Sequence, residues 1–559
     1  MNNEWLSASQ KIKQVISYRP RLSPEALTLW VVLLFTLFYN VPFWQKVLSG
    51  YTLIDLRSWG YALSVFVVLT SLQYIVFVVF AFRLSVKWLL SLLIVIASCV
   101  SYFTGNYGTY FDTSMLDNVL QTDMQEAREL LTVGFCIHSL VFGALPIAIV
   151  WRVRIIKTSL TISVFRHLSY MLVGVMFLGA SVFMAYQGLS SLMRNDKELR
   201  YLVTPGNYIV SMAQVLASSG PVANMPRLSV GADATMAFHE GEKPMLLVMV
   251  IGETVRAENW GLNGYERQTT PTLAQRPALL NFPNMTSCGT STAVSLPCMF
   301  SELGHDNYDK AYAQQHESLL DVLKHAGIDV TWLDNQSGCK GVCDGVASVT
   351  LAPADYPALC DGGRCLDEAL VEALKDQIEK VPSNTKVVVL HQLGNHGPSY
   401  YQRYPPAFEH YTPTCMTSDL AQCSQASITN SYDNSIVYTD SVLSQVIDTL
   451  SEQSGYEAAM IYVSDHGESL GEKGLYLHGI PYAIAPDEQT KVPMVWWLSP
   501  EMARRQRVDT ICLGRIAKKP ASHDNLFHSV LGLLDVATED YQQDLDISRP
   551  CREPSKAGS

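Results

Sequence analysis

The chain has 559 residues, 48% of them apolar and only 16% charged, with a formal net charge of −12. That length exceeds one ordinary domain. The modest acidity suits an exported domain, and no basic, aromatic-rich surface points to nucleic acid, so a nucleic-acid partner is not expected.

Apolar residues are concentrated between 27 and 193 in five nearly uncharged runs, Leu27–Trp44, Tyr61–Phe82, Trp88–Asn106, Leu130–Trp151 and Leu168–Met193. At 1.5 Å per residue each can span about 30 Å of hydrocarbon, the first with help from its flanks. Five such runs in succession fit a membrane bundle better than a buried soluble core. No small-residue cleavage pattern follows the first run, which argues against a signal peptide. Lys11, Lys13, Arg19 and Arg21 precede the first span, Arg83 and Lys87 follow the second, and Arg152, Arg154, Lys157 and Arg166 follow the fourth. Those faces read as cytoplasmic. The loop from Tyr107 to Glu129 carries Asp112, Asp117, Asp123, Glu126 and Glu129 against Arg128 and reads as external. Residues after about 194 then lie outside. The expected organisation is a transmembrane domain at 1–193, a connector at 194–242 interrupted by Pro205, Pro221 and Pro226, and a catalytic domain at 243–559.

Ten of the twelve cysteines fall in that last region. An even number at short spacings suggests disulfides in an oxidising compartment, pairing Cys288 with Cys298, Cys339 with Cys343, Cys360 with Cys365, Cys415 with Cys423 and Cys512 with Cys551. Absence of a repeated CxxC disfavours zinc ribbons. From Met245 onward, apolar runs at Met245–Ile251, Asp329–Leu333, Lys386–Leu390 and Ala459–Val463 read as buried strands, with Pro493–Leu498 as a further one. Helical patterns at Leu319–His325, Leu366–Glu379 and Tyr432–Leu450 separate them. This alternation predicts a mainly parallel sheet covered on both faces.

Polar residues gather at the predicted strand ends. Glu253 follows the first strand, His396 lies beyond the third, and Asp465 and His466 follow the fourth with His478 twelve residues on. Ser287 to Cys298 supplies Thr290, Ser291 and Thr292 in a turn that opens a helix. Parallel strands bring their carboxyl ends to one rim, where open α/β sheets hold their chemistry. Carboxylate, imidazole and hydroxyl together suit a zinc-activated nucleophile, with Lys340, His396 and His478 available to a phosphate. Taken singly, Glu253 and Asp465 are better explained as helix caps, and His396 is open to reading as a structural turn residue. Among the three hydroxyls the sequence alone does not choose. His138, inside the fourth span, reads as a bundle-facing polar residue.

The chain resembles the lipid A phosphoethanolamine transferases of Gram-negative bacteria, including the mobile colistin-resistance enzymes, within the alkaline phosphatase superfamily. The stretches that carry the resemblance are GETVRAENWGLNGYERQTTP from Gly252, SCGTSTAVSLPCMF from Ser287, DNQSGCKGVCD from Asp334, GNHGPSYYQRYPP from Gly394, NSYDNSIVYTD from Asn430 and SDHGESLGEKGLYLHGIPYAIAP from Ser464. It implies a five-helix transmembrane bundle followed by a C-terminal α/β domain of alkaline phosphatase/sulfatase type, with a mainly parallel central sheet. Glu253, Thr292, Asp465 and His466 are the implied zinc ligands, for one ion with a second possible, and Thr292 is the nucleophile. Lys340, His396 and His478 match positions that bind phosphoethanolamine or a second zinc. Asn118, Thr122 and Glu126 match lipid-binding positions, although their spacing equally gives one helical face at a membrane boundary. Gln336 stands where relatives carry a shorter Asn or Asp.

The implied reaction moves phosphoethanolamine from phosphatidylethanolamine to a phosphate of lipid A through a covalent threonine intermediate. It takes place at the bacterial inner membrane, with the N-terminus cytoplasmic, the catalytic domain periplasmic and the chain a monomer. Transfer to a core sugar and glycerophosphate transfer, as in lipoteichoic acid synthases, are the rival activities. A sulfatase would need an arginine two residues after Pro297, where Met299 stands.

Overall fold

The computed structural model describes residues 19–49, 56–122, 124–195, 197–218, 227–236, 242–361, 364–380 and 384–552. Of the residues used in the sequence reading, Lys11, Lys13, Asp123, Pro221 and Pro226 lie outside these. Two compact units emerge, one of residues 1–112 and 131–212, the other of 113–130 and 213–559.

The first unit is helical. Helix α1 (Pro24–Leu34) is capped by Ser23, runs into a wider π-type turn at Phe35–Tyr39, and then bends by 61° into α2 (Val41–Leu48). The apolar run that looked like one span is therefore broken. Pro42 withholds the N–H a continuous helix needs, and Asn40 at the break donates to the carbonyls of Phe35 (2.9 Å) and Thr204 (2.6 Å). Helices α3 (Leu56–Val78) and α4 (Val86–Tyr107) follow. Next in the chain come α5 (Thr113–Gln121) and α6 (Met124–Glu129), which belong to the second unit. Back in the first unit, α7 (Val133–His138), a π-type stretch at Ser139–Ala144 and α8 (Leu145–Arg152) make one apolar length, and α9 (Leu160–Asn195) another. Among the described residues, four helices are long and apolar enough to cross a membrane, or five if the bent pair counts as one. Glu25, fully buried, pairs with Arg166 (2.9 Å) and His167 (2.6 Å) and ties α1 to α9. His138 turns toward α4, with Ser101 Oγ 3.1 Å from its Nε2. Helix α10 (Gly206–Ser218) occupies part of the stretch read as a connector.

The second unit is built on an eight-stranded sheet. Its strands are β1 (Met245–Gly252), β2 (Leu279–Thr286), β3 (Asp329–Asp334), β4 (Ala347–Thr350), β5 (Lys386–His391), β6 (Glu457–Ser464), β7 (Lys491–Leu498) and β8 (Ala521–Ser522). They lie in the order β8-β2-β7-β6-β1-β5-β3-β4. From β6 to β4 all neighbours are parallel, and β7 runs antiparallel to both β6 and β2. Every residue of β1 is buried, as a strand covered on both faces must be. Pro493 is accommodated inside β7 because the β2–β7 register slips between Val492 and Met494, where no ladder N–H is required. Helices α11 (Thr292–Met299), α12 (Lys310–Gln315), α13 (Leu319–His325), α14 (Glu368–Glu379), α15 (Gln425–Ser451) and α16 (Asp524–Leu533) complete the part used below. Five disulfides join Cys288–Cys298, Cys339–Cys343, Cys360–Cys365, Cys415–Cys423 and Cys512–Cys551.

Candidate active site

Register sets the site. Ser464 pairs with Gly252, while His391 pairs with Ile251 on one side and Asp334 on the other, so β6, β1, β5 and β3 end level on one rim. The residue after β1 is Glu253 and the two after β6 are Asp465 and His466, all fully buried. Thr292 opens α11 behind Ser291, which is extended (φ −151°, ψ 151°) and turns the chain into the helix. Its hydroxyl donates to the Glu253 carboxylate, at 3.1 Å from Oε2 and 3.3 Å from Oε1, and stands 3.4 Å from His466 Nε2. Thr290, by contrast, donates to the Ile480 carbonyl at 2.7 Å. Geometry thus separates Thr292 from Thr290, while the buried Ser291 hydroxyl has no hydrogen-bond partner among the described residues.

The donor set suits a divalent cation. Glu253, Asp465 and His466 each present a ligand atom, all within 4.8 Å of one another. Asp465 Oδ1 accepts from the backbone N–H of Thr254 (3.2 Å) and His466 (2.7 Å), while Oδ2 has no hydrogen-bond partner among the described residues. His466 Nδ1 faces the Gly467 carbonyl at 2.9 Å; it therefore carries the proton, leaving Nε2 as a lone pair toward the carboxylates. Burial and the Asp465 carboxylate push the Glu253 carboxyl well above its ordinary range, and burial takes the His466 imidazole down to about 4. Two buried acids beside a neutral imidazole are costly alone and well matched to a bound ion.

A second group of residues surrounds this corner. Gln336 donates to Glu253 Oε2 at 3.2 Å, so its longer side chain still reaches the site. His478 lies 4.5 Å from His466 and 5.4 Å from His396, ring centre to ring centre. Its Nδ1 contacts Glu468 Oε2 at 2.7 Å, and the other Glu468 oxygen accepts from Tyr400 at 2.7 Å. Burial would lower the His478 imidazole, but Glu468, Glu126 and Asp465 outweigh it and hold it above its usual value. Glu126, on α6, approaches His396 Nε2 at 3.3 Å. Burial opposes its ionisation, yet its interactions with His396, His478 and Lys340 bring its carboxyl down to about 2. Lys340 bonds the Ser337 hydroxyl (2.9 Å) and carbonyl (3.2 Å). Thr122 donates to the Asn118 carbonyl at 2.9 Å, and neither residue shares a described hydrogen bond with the four-residue cluster.

Supporting contacts explain why these loops hold their shape. Asp367, buried, accepts from the N–H groups of Leu393 and Gly394, each at 2.9 Å. At Gly394 φ is +56° and an added Cβ would stand 2.8–2.9 Å from Glu253, so the close approach requires glycine. Glu129 pairs with Arg403 (2.7 Å) and Arg364 (3.1 Å), and Asp117 with Lys310 (2.5 Å), which fastens α5 and α6 to the sheet domain. A cavity of about 890 Å³ opens beside α11, lined by Asp117, Gln121, Val294, Pro297, Lys310 and Lys340. Glu468, Arg364 and Arg403 escaped the sequence reading. Glu468 stands only two residues past His466, but its task needs His478 and Tyr400 folded against it.

Comparison with known proteins joins this geometry to a chemistry. A family model described as Sulfatase matches residues 246–536, and one described as Phosphoethanolamine transferase EptA/EptB matches residues 69–219. Phosphoethanolamine transferase EptA of Escherichia coli strain K12 is 39% identical over 543 residues, covering 96% of this chain and 99% of that protein. The chain belongs to the phosphoethanolamine transferase family. Phosphatidylethanolamine transferase Mcr-1 of Escherichia coli is 36% identical, with 93% of this transferase and 97% of Mcr-1 covered. The solved integral membrane lipooligosaccharide phosphoethanolamine transferase A of Neisseria meningitidis superposes with a TM-score of 0.92 at 38% identity, covering 96% of this transferase and all of that chain. The present enzyme thus shares both its apolar helices and its sheet domain with proteins named for the same group transfer.

Proposed function

We propose that the enzyme transfers phosphoethanolamine from phosphatidylethanolamine to a phosphate of lipid A, in two steps through a covalent intermediate on Thr292. The observation that carries this reading is the Thr292 hydroxyl, buried at a helix start and donated into the Glu253 carboxylate beside Asp465 and His466. Glu253, Thr292, Asp465 and His466 would hold zinc, which when bound supplies a Lewis acid that makes the threonine hydroxyl far easier to ionise. The threonine oxygen forms a bond to phosphorus as the bond from phosphorus to the diacylglycerol oxygen breaks, and that oxygen takes up the proton. His396, His478 and Lys340 hold the phosphoryl group, and Gln336 keeps Glu253 oriented. A phosphate oxygen of lipid A then displaces Thr292, creating a P–O–P link and returning the hydroxyl.

Both substrates are lipids, which accounts for a catalytic domain attached to apolar helices. The lysine and arginine distribution supports a cytoplasmic N-terminus, with the catalytic domain in the periplasm at the inner membrane of a Gram-negative cell. Adding an ammonium to lipid A lowers surface negative charge and weakens binding of polymyxins and other cationic peptides. The test is peptide mass spectrometry of protein quenched after mixing with phosphatidylethanolamine. A phosphoethanolamine adduct on Thr292 is expected; turnover with Thr292 unmodified would refute the covalent route.

A further inference from the structure

His523 sits immediately before α16, 1% exposed, and takes no part in the chemistry above. One ring nitrogen, Nε2, lies 3.0 Å from the Ser464 carbonyl, the residue just before Asp465. The other, Nδ1, lies 3.1 Å from the backbone nitrogen of Cys288, four residues before Thr292. A carbonyl only accepts and a backbone N–H only donates, so the partners themselves fix the proton on Nε2 and leave Nδ1 as the acceptor. A doubly protonated or Nδ1–H ring would turn an N–H against the Cys288 N–H. The two ends of one neutral imidazole therefore join the strand end that carries Asp465 and His466 to the loop that carries the hydroxyl.

The surroundings repeat this link. Ser295, on α11 within a turn of Thr292, donates to the Asp465 carbonyl and lies 3.3 Å from His523 Nδ1. The Cys288 carbonyl lies 2.8 Å from His305 Nδ1, and the His305 N–H donates to Asp524, the first residue of α16, at 2.8 Å. Tyr482 donates to the Ser287 carbonyl at 2.9 Å, with its ring 4.1 Å from that of His305. Both backbone groups of Cys288 are thus held by histidines, one just before α16 and the other bonded through its own N–H to the first residue of that helix.

We infer that His523 is a positioning residue for Thr292, tying the Cys288 loop to the Ser464 strand end so that hydroxyl and acidic corner keep their spacing. The inference rests on the reading of Thr292 as nucleophile. A misplacement of about 1 Å at a reacting centre costs as much as about a hundredfold in rate, which gives such a tie a measurable effect.

The test uses the full chain in detergent, loaded with zinc, and a fluorescent phosphatidylethanolamine. It compares the wild type with His523→Leu, His523→Asn and His523→Gln, reading kcat and KM per zinc-loaded chain, Tm, and the adduct on Thr292. His523→Leu fills the volume but makes neither bond. It is expected to lower kcat about 30-fold, equivalent to about 2 kcal/mol, with KM within about twofold. His523→Asn, whose amide oxygen can accept from Cys288, is expected to recover to within about fivefold of wild type. A His523→Leu enzyme with wild-type kcat, or an Asn variant no better than Leu, overturns the inference. Should His523→Leu not fold, His523→Gln takes its place: kcat below that of the Asn variant supports the inference, and kcat equal to or above it overturns it. An adduct absent from wild-type Thr292 defeats the nucleophile reading itself; an adduct present with kcat indifferent to residue 523 defeats only the positioning role.

Discussion

Replacing Glu253 by glutamine should stabilise the metal-free protein while abolishing its response to zinc. Glu253 and Asp465 are both fully buried, and burial together with Asp465 raises the Glu253 carboxyl well above its ordinary value of 4.5. A native-state value above the unfolded one means that the folded chain binds more protons. The stability this group contributes is complete below about pH 4 and declines as pH rises toward the raised native value. An amide has no such titration and can still accept from Thr292. Relief of one uncompensated buried charge is worth about 1–3 kcal/mol, and each kcal/mol moves Tm by about 2–4 °C in a domain of this class. Thermal unfolding of metal-free wild type and Glu253→Gln from pH 5 to 8 should show the variant ahead by a margin that grows with pH. With zinc added the order should reverse, because a ligand bound only by the folded state stabilises it by an amount that grows with the logarithm of ligand concentration over Kd. A metal-free variant less stable than wild type at pH 7, or a margin that shrinks with rising pH, would refute the reasoning.

Other predictions follow from the same contacts. Glu468→Gln removes the carboxylate that holds His478 and accepts from Tyr400, so kcat/KM should fall about 10- to 100-fold, as expected for one charge-assisted bond of about 1.5–3 kcal/mol. In that variant the His478 ionisation should move down, and the pH–rate limb governed by its protonated form should shift to lower pH. Arg403→Ala leaves Glu129 with Arg364 and removes the bond from Arg403 Nε to the His396 carbonyl (2.7 Å); limited proteolysis within 113–130 should accelerate, and unchanged cleavage would count against the fastening role. Replacing both cysteines of the Cys512–Cys551 pair, separated by 39 residues, should cost about 4 kcal/mol by loop entropy against about 2 for the four-residue Cys339–Cys343 loop. Activity should respond in the opposite order, since the shorter loop carries Lys340.

The sheet was legible where burial is complete. Met245–Ile251, Val387–Leu390 and Ala459–Val463 are uninterrupted apolar runs because both faces of those strands are covered, and parallel pairing then forces their ends, with Glu253, Asp465 and His466, onto one rim. Strand β2 was missed because its residues alternate between buried and half-exposed and it contains Pro283. The break at Asn40 depends on a carbonyl 164 residues away and on Pro42, which a hydropathy window does not register. The loop after α4 reads from sequence as an external acidic loop in which Asn118, Thr122 and Glu126 match lipid-binding positions. Its partners Lys310, Arg364, His396 and Arg403 are scattered across the sheet domain, so the sequence displays the acids without what they meet. The same applies to Thr292, distinguished from Thr290 only once α11 turns one hydroxyl to Glu253 and Ile480 claims the other.

Mass spectrometry of lipid A from cells expressing the wild type or Thr292→Ala addresses the central claim most directly. The account predicts lipid A bearing added phosphoethanolamine with the wild type and none with the variant, both proteins present at equal level in the membrane fraction. An increment that survives the loss of the Thr292 hydroxyl would contradict it.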